Sequence, residues 1–130
     1  MVTDRVGDFI IRLKNAGAIG QTSVSLPHSK HIEAIAKKLK ELGFVADVSV
    51  NKKEPKMLEV TLAYEANGDH KIKGVKRVSK PGRRLYTPAR EAHSVKNGLG
   101  AMILSTPRGV ISDREARKVR AGGETLFQIW

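Results

Sequence analysis

Between Ser29 and Tyr64 the apolar residues change their period, and that change dictates how the first half of the chain can fold. Ser29 is followed by Ile32, Ile35, Ala36, Leu39 and Leu42 at the spacing of one helix face, with Ser29 placed to cap the helix and Gly43 to stop it. From Met57 the apolar positions Leu58, Val60, Leu62 and Tyr64 alternate instead, which puts them on one face of a strand. Residues 44–50 read as its antiparallel partner, and polar residues 51–56 as the hairpin loop. Upstream, Thr3 or Asp4 can cap a helix carrying Val6, Phe9, Ile10 and Leu13 on one side, with Asn15-Ala16-Gly17 as its stop. Val24-Ser25-Leu26, broken by Pro27, is a further short alternating run. Two helices on a short sheet complete a first unit.

The pattern changes after the turn-rich stretch Asn67-Gly68-Asp69, which sets the expected domains at 1–68 and 69–130. Residues 71–78 read as strand, followed by the turn Ser79-Lys80-Pro81-Gly82, in which Pro and Gly suit a type II geometry, and by residues 83–86 running out of it. Thr87-Pro88 breaks the chain before a short polar helix or loop over 89–96. After Gly98-Leu99-Gly100, the run Ala101-Met102-Ile103-Leu104 is the best candidate for a buried central strand. Residues 105–109 form a tight turn, Val110-Ile111 resumes as strand, and Ser112-Asp113-Arg114-Glu115 is a capping box opening a short helix that Gly122-Gly123 stops. Residues 125–130 are the last strand. The expected fold is α+β, a compact pair of small units, the second mostly β with one short helix.

Charge points to the partner. The chain has 24 Lys and Arg against 13 Asp and Glu, a net charge of +11. Residues 1–70 hold 10 basic and 9 acidic side chains, whereas 71–130 hold 14 basic and 4 acidic. Segregation of this kind predicts polyanion binding by the second half, since a surface serving only solubility intersperses both signs. Other classes find no support. There is no cysteine, which removes disulfides and thiolate metal sites, and no apolar run long enough for a membrane span. His28, His31, His70 and His93 lack metal-ligand spacing, and Gly98-Leu99-Gly100 is only half of a phosphate-loop pattern. The expectation is a cytoplasmic, non-enzymatic protein with no metal, cofactor, membrane or small-molecule substrate. A nuclease would need a metal–carboxylate site and a DNA-binding protein a recognition helix, and the sequence offers neither.

Three features could carry the binding. Residues 71–90 contain Lys71, Lys73, Lys76, Arg77, Lys80, Arg83, Arg84 and Arg90 with no acid, a grip suited to a phosphate backbone. Ser105-Thr106-Pro107-Arg108-Gly109 presents two hydroxyls and an arginine on a rigid turn, so that little order would be lost on binding. The hydroxyls equally suit satisfaction of the turn's own backbone. Glu124 follows Gly122 and Gly123 in a basic field. A phosphate would repel it, so it either accepts from base amino or imino groups, with the glycines admitting RNA close to the backbone, or makes a surface salt bridge to Arg117 or Arg120. From the residues alone the salt bridge is the preferred reading.

Taken in order, Arg77-Val78-Ser79-Lys80-Pro81-Gly82-Arg83-Arg84-Leu85-Tyr86, Gly98-Leu99-Gly100, Ser105-Thr106-Pro107-Arg108-Gly109-Val110, Ser112-Asp113-Arg114-Glu115-Ala116-Arg117 and Gly122-Gly123-Glu124 resemble the bacterial small-subunit ribosomal protein number eight family. Arg12-Leu13-Lys14-Asn15-Ala16 and Leu42-Gly43-Phe44 extend the resemblance over nearly the whole chain. It implies two small, tightly associated α+β domains in a non-catalytic protein that binds the central domain of 16S ribosomal RNA directly and helps assemble the platform of the 30S subunit. It also implies neighbouring ribosomal proteins, numbers five and twelve, and in some bacteria an operon messenger RNA as a translational-repression target. The resemblance implies Ser105, Thr106 and Glu124 at the centre of the RNA interface; the full candidate RNA-binding set adds Pro107, Gly122 and Gly123 beside them and Lys80, Arg83, Arg84, Tyr86 and Arg108 around them. On the resemblance, Glu124 moves from salt bridge to the centre of the RNA interface.

Overall fold

The structure is a computed structural model describing residues 4–51, 53–88 and 100–130. Among the described residues it is α+β, with two antiparallel sheets. It divides into a unit Asp8–Lys73 and a unit comprising the described residues up to Gly7 with Gly74–Trp130.

The first unit holds most of α1 (Arg5–Ala18), then β1 (Ser23–Pro27), α2 (Lys30–Glu41), β2 (Val45–Asn51) and β3 (Met57–Leu62), in sheet order β1-β3-β2. The alternation of β3 decides its position. Leu58, Val60 and Leu62 are buried while Glu59 and Thr61 are exposed, so one sheet face is core and the other meets water. Pro27 lacks a backbone donor and falls on the edge strand, where none is needed. The Ser29 hydroxyl accepts from the Ile32 amide at 3.2 Å as helix cap, and α2 packs on β2 with Ile32, Ile35, Ala36 and Leu39 buried. Burial of each of these large aliphatics contributes about 2 kcal/mol.

Two expectations fail here for identifiable reasons. Asp4 caps α1 by accepting from the Gly7 amide at 3.0 Å, but the helix does not stop at Gly17. Gly17 is a packing position: a Cβ there would lie 1.7 Å from the His70 ring. The stop comes at Gly20, in the left-handed region at φ 78°. Nor do residues 71–78 form one strand. The Lys71 amide donates to the Ala63 carbonyl and His70 pairs with Tyr64, so residues 69–73, grouped with the second half in the sequence reading, are hydrogen-bonded into the first unit.

The second unit contains β4 (Val75–Arg77), β5 (Tyr86–Thr87), β6 (Ala101–Thr106), β7 (Gly109–Ser112), α3 (Asp113–Val119) and β8 (Gly123–Ile129). The sheet order is β4-β8-β6-β7, with β5 also paired to β8. Ala101, Met102, Ile103 and Leu104 are all buried, as expected of a central strand. Met102, Leu104, Ile111 and Ala116 form the core on the α3 side, joined by Ala121 and Trp130. Ser112 and Glu115 make the capping box. The buried Asp113 carboxylate accepts from the Met102 amide at 3.1 Å and from Arg117 at 3.0 Å, tying α3 to β6. The expected helix or loop over 89–96, Arg90 and Gly98-Leu99 lie outside the described residues.

Candidate nucleic-acid interface

Strand β8 is the spine of the site. Along one edge it pairs with β4 through residues 127–129 and with β5 through residues 123–124, and along the other it pairs with β6. Glu124 stands opposite Tyr86 on one side and Ser105 on the other, and Ser105 stands opposite Val110 of β7. Opposed residues of antiparallel strands project from the same face, so Tyr86, Glu124, Ser105 and Val110 form one row across four strands. A bulge sets this row. Ile103 opposes Phe127 but Leu104 opposes Thr125, which leaves Leu126 as the extra residue of β8. Without it, the count would place Glu124 opposite Thr106.

Glu124 is held, not free. The buried Ser79 hydroxyl donates to its Oε2, and Arg84 Nη1 donates to the same oxygen at 3.0 Å. Ser79 is itself fixed, accepting from the Leu85 amide at 3.2 Å while its own amide donates to the Thr125 carbonyl. Burial works to raise the Glu124 pKa, but the hydrogen bonds from Ser79 and Arg84 and the charges of Arg84 and Arg77 outweigh it, holding the carboxyl below its ordinary value. The acid is therefore an anchored carboxylate at neutral pH. The salt bridge foreseen with Arg117 or Arg120 is replaced by one with Arg84, because Arg117 is engaged by Asp113.

The hydroxyl turn splits into two different residues. Strand β6 continues through Thr106, and Pro107 and Arg108 are the exposed two-residue loop, with Gly109 at φ 113°. The Thr106 hydroxyl donates to the Gly109 carbonyl at 2.9 Å and accepts from the Arg108 amide at 3.1 Å. It therefore satisfies the turn, as one of the two sequence readings has it. Ser105 has no such role: its hydroxyl has no hydrogen-bond partner among the described residues and lies next to Glu124 in the row. The closest neighbour of Gly123 is protein, since a Cβ there would stand 2.2 Å from the Ser105 carbonyl oxygen. Gly123 thus lets β8 approach β6, and Gly122 is the half-buried link from α3.

The basic residues gather beside β4. Reciprocal backbone bonds between Lys80 and Arg83 close the turn one residue later than the sequence suggests, and Gly82 is not at positive φ, so the type II geometry is not adopted. This turn helps line a cleft of about 340 Å³ with Lys76, Arg77, Val78, Lys80, Arg83, Leu85 and Gln128. Lys80 and Arg83 are exposed and make no ion pair among the described residues. Arg77 instead forms a two-bond pair with Asp4, at 3.1 Å each. Tyr86 is 72% exposed, an aromatic presented to solvent. Lys76 belongs to the basic run singled out in the sequence, whereas sequence reasoning missed Ser79 and Gln128. Ser79 reads as an ordinary turn residue, and only the strand pairing shows that its hydroxyl serves Glu124.

A family profile described as "Ribosomal protein S8" matches residues 4–130. The chain belongs to the ribosomal protein S8 family. It is similar to the small ribosomal subunit protein uS8 of Mycoplasmopsis synoviae, at 44% identity over 99% of this chain and 98% of that protein. It resembles uS8 of Chloroflexus aurantiacus at 44% identity over the same shares, and uS8 of Acholeplasma laidlawii at 41% over 100% and 99%. The S8 family assignment thus covers both units and the whole Tyr86–Glu124–Ser105 row.

Proposed function

We propose that this chain is a structural, non-enzymatic protein of the small ribosomal subunit that binds the central domain of 16S ribosomal RNA directly and helps assemble the subunit platform. The observation that carries the reading is Glu124: an anchored carboxylate standing between the Ser105 hydroxyl and the exposed Tyr86 ring, within a strongly basic half of the chain. Lys80, Arg83, Arg84 and Arg108 supply affinity through phosphates, which is salt-dependent and indifferent to sequence. Specificity comes from the row. Glu124 gains only where it accepts from base edges, Ser105 can donate to or accept from a base or a 2′-hydroxyl, and Tyr86 offers a face for stacking.

Pro107, Gly122 and Gly123 shape this surface. Family membership supports a place in the small subunit; in this reading the neighbours are ribosomal proteins numbers five and twelve and the location is cytoplasmic. A messenger RNA imitating the ribosomal site would occupy the same surface. Sedimentation of a tagged copy tests the reading: it should travel with small subunits at moderate salt, and absence from them refutes it.

A further inference from the structure

Helix α3 ends on Arg120, whose backbone is left-handed at φ 55°, ψ 42°. Among the described residues it is the one non-glycine residue with positive φ. In this region the Cβ crowds the backbone, and glycine or asparagine is the usual occupant of a helix end of this kind. Gly122 and Gly123 stand just beyond, yet the position that would favour glycine carries arginine. Neither helix electrostatics nor ion pairing explains the choice. The carbonyl end of α3 already has Arg117 and Lys118 in its last turn. The acids near it in sequence serve other groups: Asp113 pairs with Arg117, Glu115 completes the capping box, and Glu124 pairs with Arg84. Arg120 itself is exposed and makes no ion pair among the described residues.

A strained backbone retained under an unpaired, exposed cation points to a use for the side chain. Arg120 lies four residues before Glu124, so the two Cα atoms are at most about 14 Å apart at full extension. We infer that Arg120 is a further RNA contact, binding a backbone phosphate beside the nucleotides read by the Tyr86–Glu124–Ser105 row. The inference rests on the RNA-binding reading above and adds a residue that extends its interface from β8 to the end of α3.

Substitution separates strain from binding, because here they have opposite signs. Arg120→Gly relieves the backbone and should raise the melting temperature by about 3–5 °C. Against a transcript of the small-subunit rRNA central domain it should bind about 5- to 10-fold more weakly at 0.1 M salt, with the log–log salt slope shallower by about one. Arg120→Lys keeps charge and strain and should stay near wild type in both. An Arg120→Gly protein with unchanged affinity and slope, or a loss in Arg120→Lys as large as in Arg120→Gly, overturns the assignment. Wild-type protein that binds the transcript no better than a random duplex of equal length refutes the underlying RNA reading instead.

Discussion

Ser79 holds Glu124: its buried hydroxyl donates to the carboxylate while accepting from the Leu85 amide, so one side chain fixes both the acid and the loop that leads to Tyr86. Ser79→Ala removes both bonds. It should cost about 1–3 kcal/mol, because the Leu85 amide loses its acceptor and the carboxylate one of its donors. The same contact predicts a pH effect. The Glu124 pKa is lowered in the folded protein, so its contribution to stability is complete above the ordinary value of 4.5 and is lost as pH falls through the lower folded value. Denaturant titrations at pH 7 and pH 3 should show a smaller acid loss in Ser79→Ala than in wild type. An equal loss would mean that Ser79 does not hold the carboxylate.

Ser105 and Thr106 are adjacent hydroxyls with different work. The Thr106 hydroxyl is used in both directions by the hairpin turn, so Thr106→Val should lower stability by about 1 kcal/mol. The Ser105 hydroxyl has no hydrogen-bond partner among the described residues, so Ser105→Ala should change stability by less than about 0.5 kcal/mol while weakening binding to the central-domain RNA. Thermal melts and filter binding on the two variants would show this crossed pattern. A Ser105→Ala protein that melts early and binds normally would reverse the assignment.

His70 predicts a second acid transition, in the Asp8–Lys73 unit. Both ring nitrogens are buried without a partner among the described residues, and the ring lies against Gly17 and tilts over Tyr64. Burial, then the charge of Lys73, push its pKa below the ordinary 6.5. The folded state thus resists a proton that the unfolded chain accepts. Stability should fall as pH drops below about 6.5 and level off once the folded value is passed. His70→Leu should flatten the stability profile between about pH 7.5 and pH 5, a range above the carboxylate transitions. A wild-type profile that is already flat there would contradict the buried neutral ring.

Much of this was legible in the sequence where one physical signal dominates. The alternation of 58, 60 and 62, the Ser29 cap, the apolar run 101–104 and the Ser112–Glu115 box each have a short-range cause, and each appears where expected. What was not legible depends on contacts between distant residues. Gly17 is a helix stop by composition and a packing surface only once His70 is placed on it. Lys71 belongs to the first unit because of the Ala63 carbonyl. At the site, the Leu126 bulge has no local signature, yet it decides which residue faces Glu124. Arg84 could not be chosen over Arg117 or Arg120 without the strand pairing.

In the proposed interface, RNA specificity comes from an acid in a basic field. This is tested most directly by Glu124→Ala, with equilibrium binding to the rRNA central-domain transcript and to a random duplex of equal length measured side by side. Loss of a base contact should weaken the transcript by about tenfold or more. The duplex should be unaffected or held slightly more tightly, because a negative charge facing phosphate has been removed. Equal weakening on both RNAs would contradict the account and leave Glu124 as a structural anchor for Arg84.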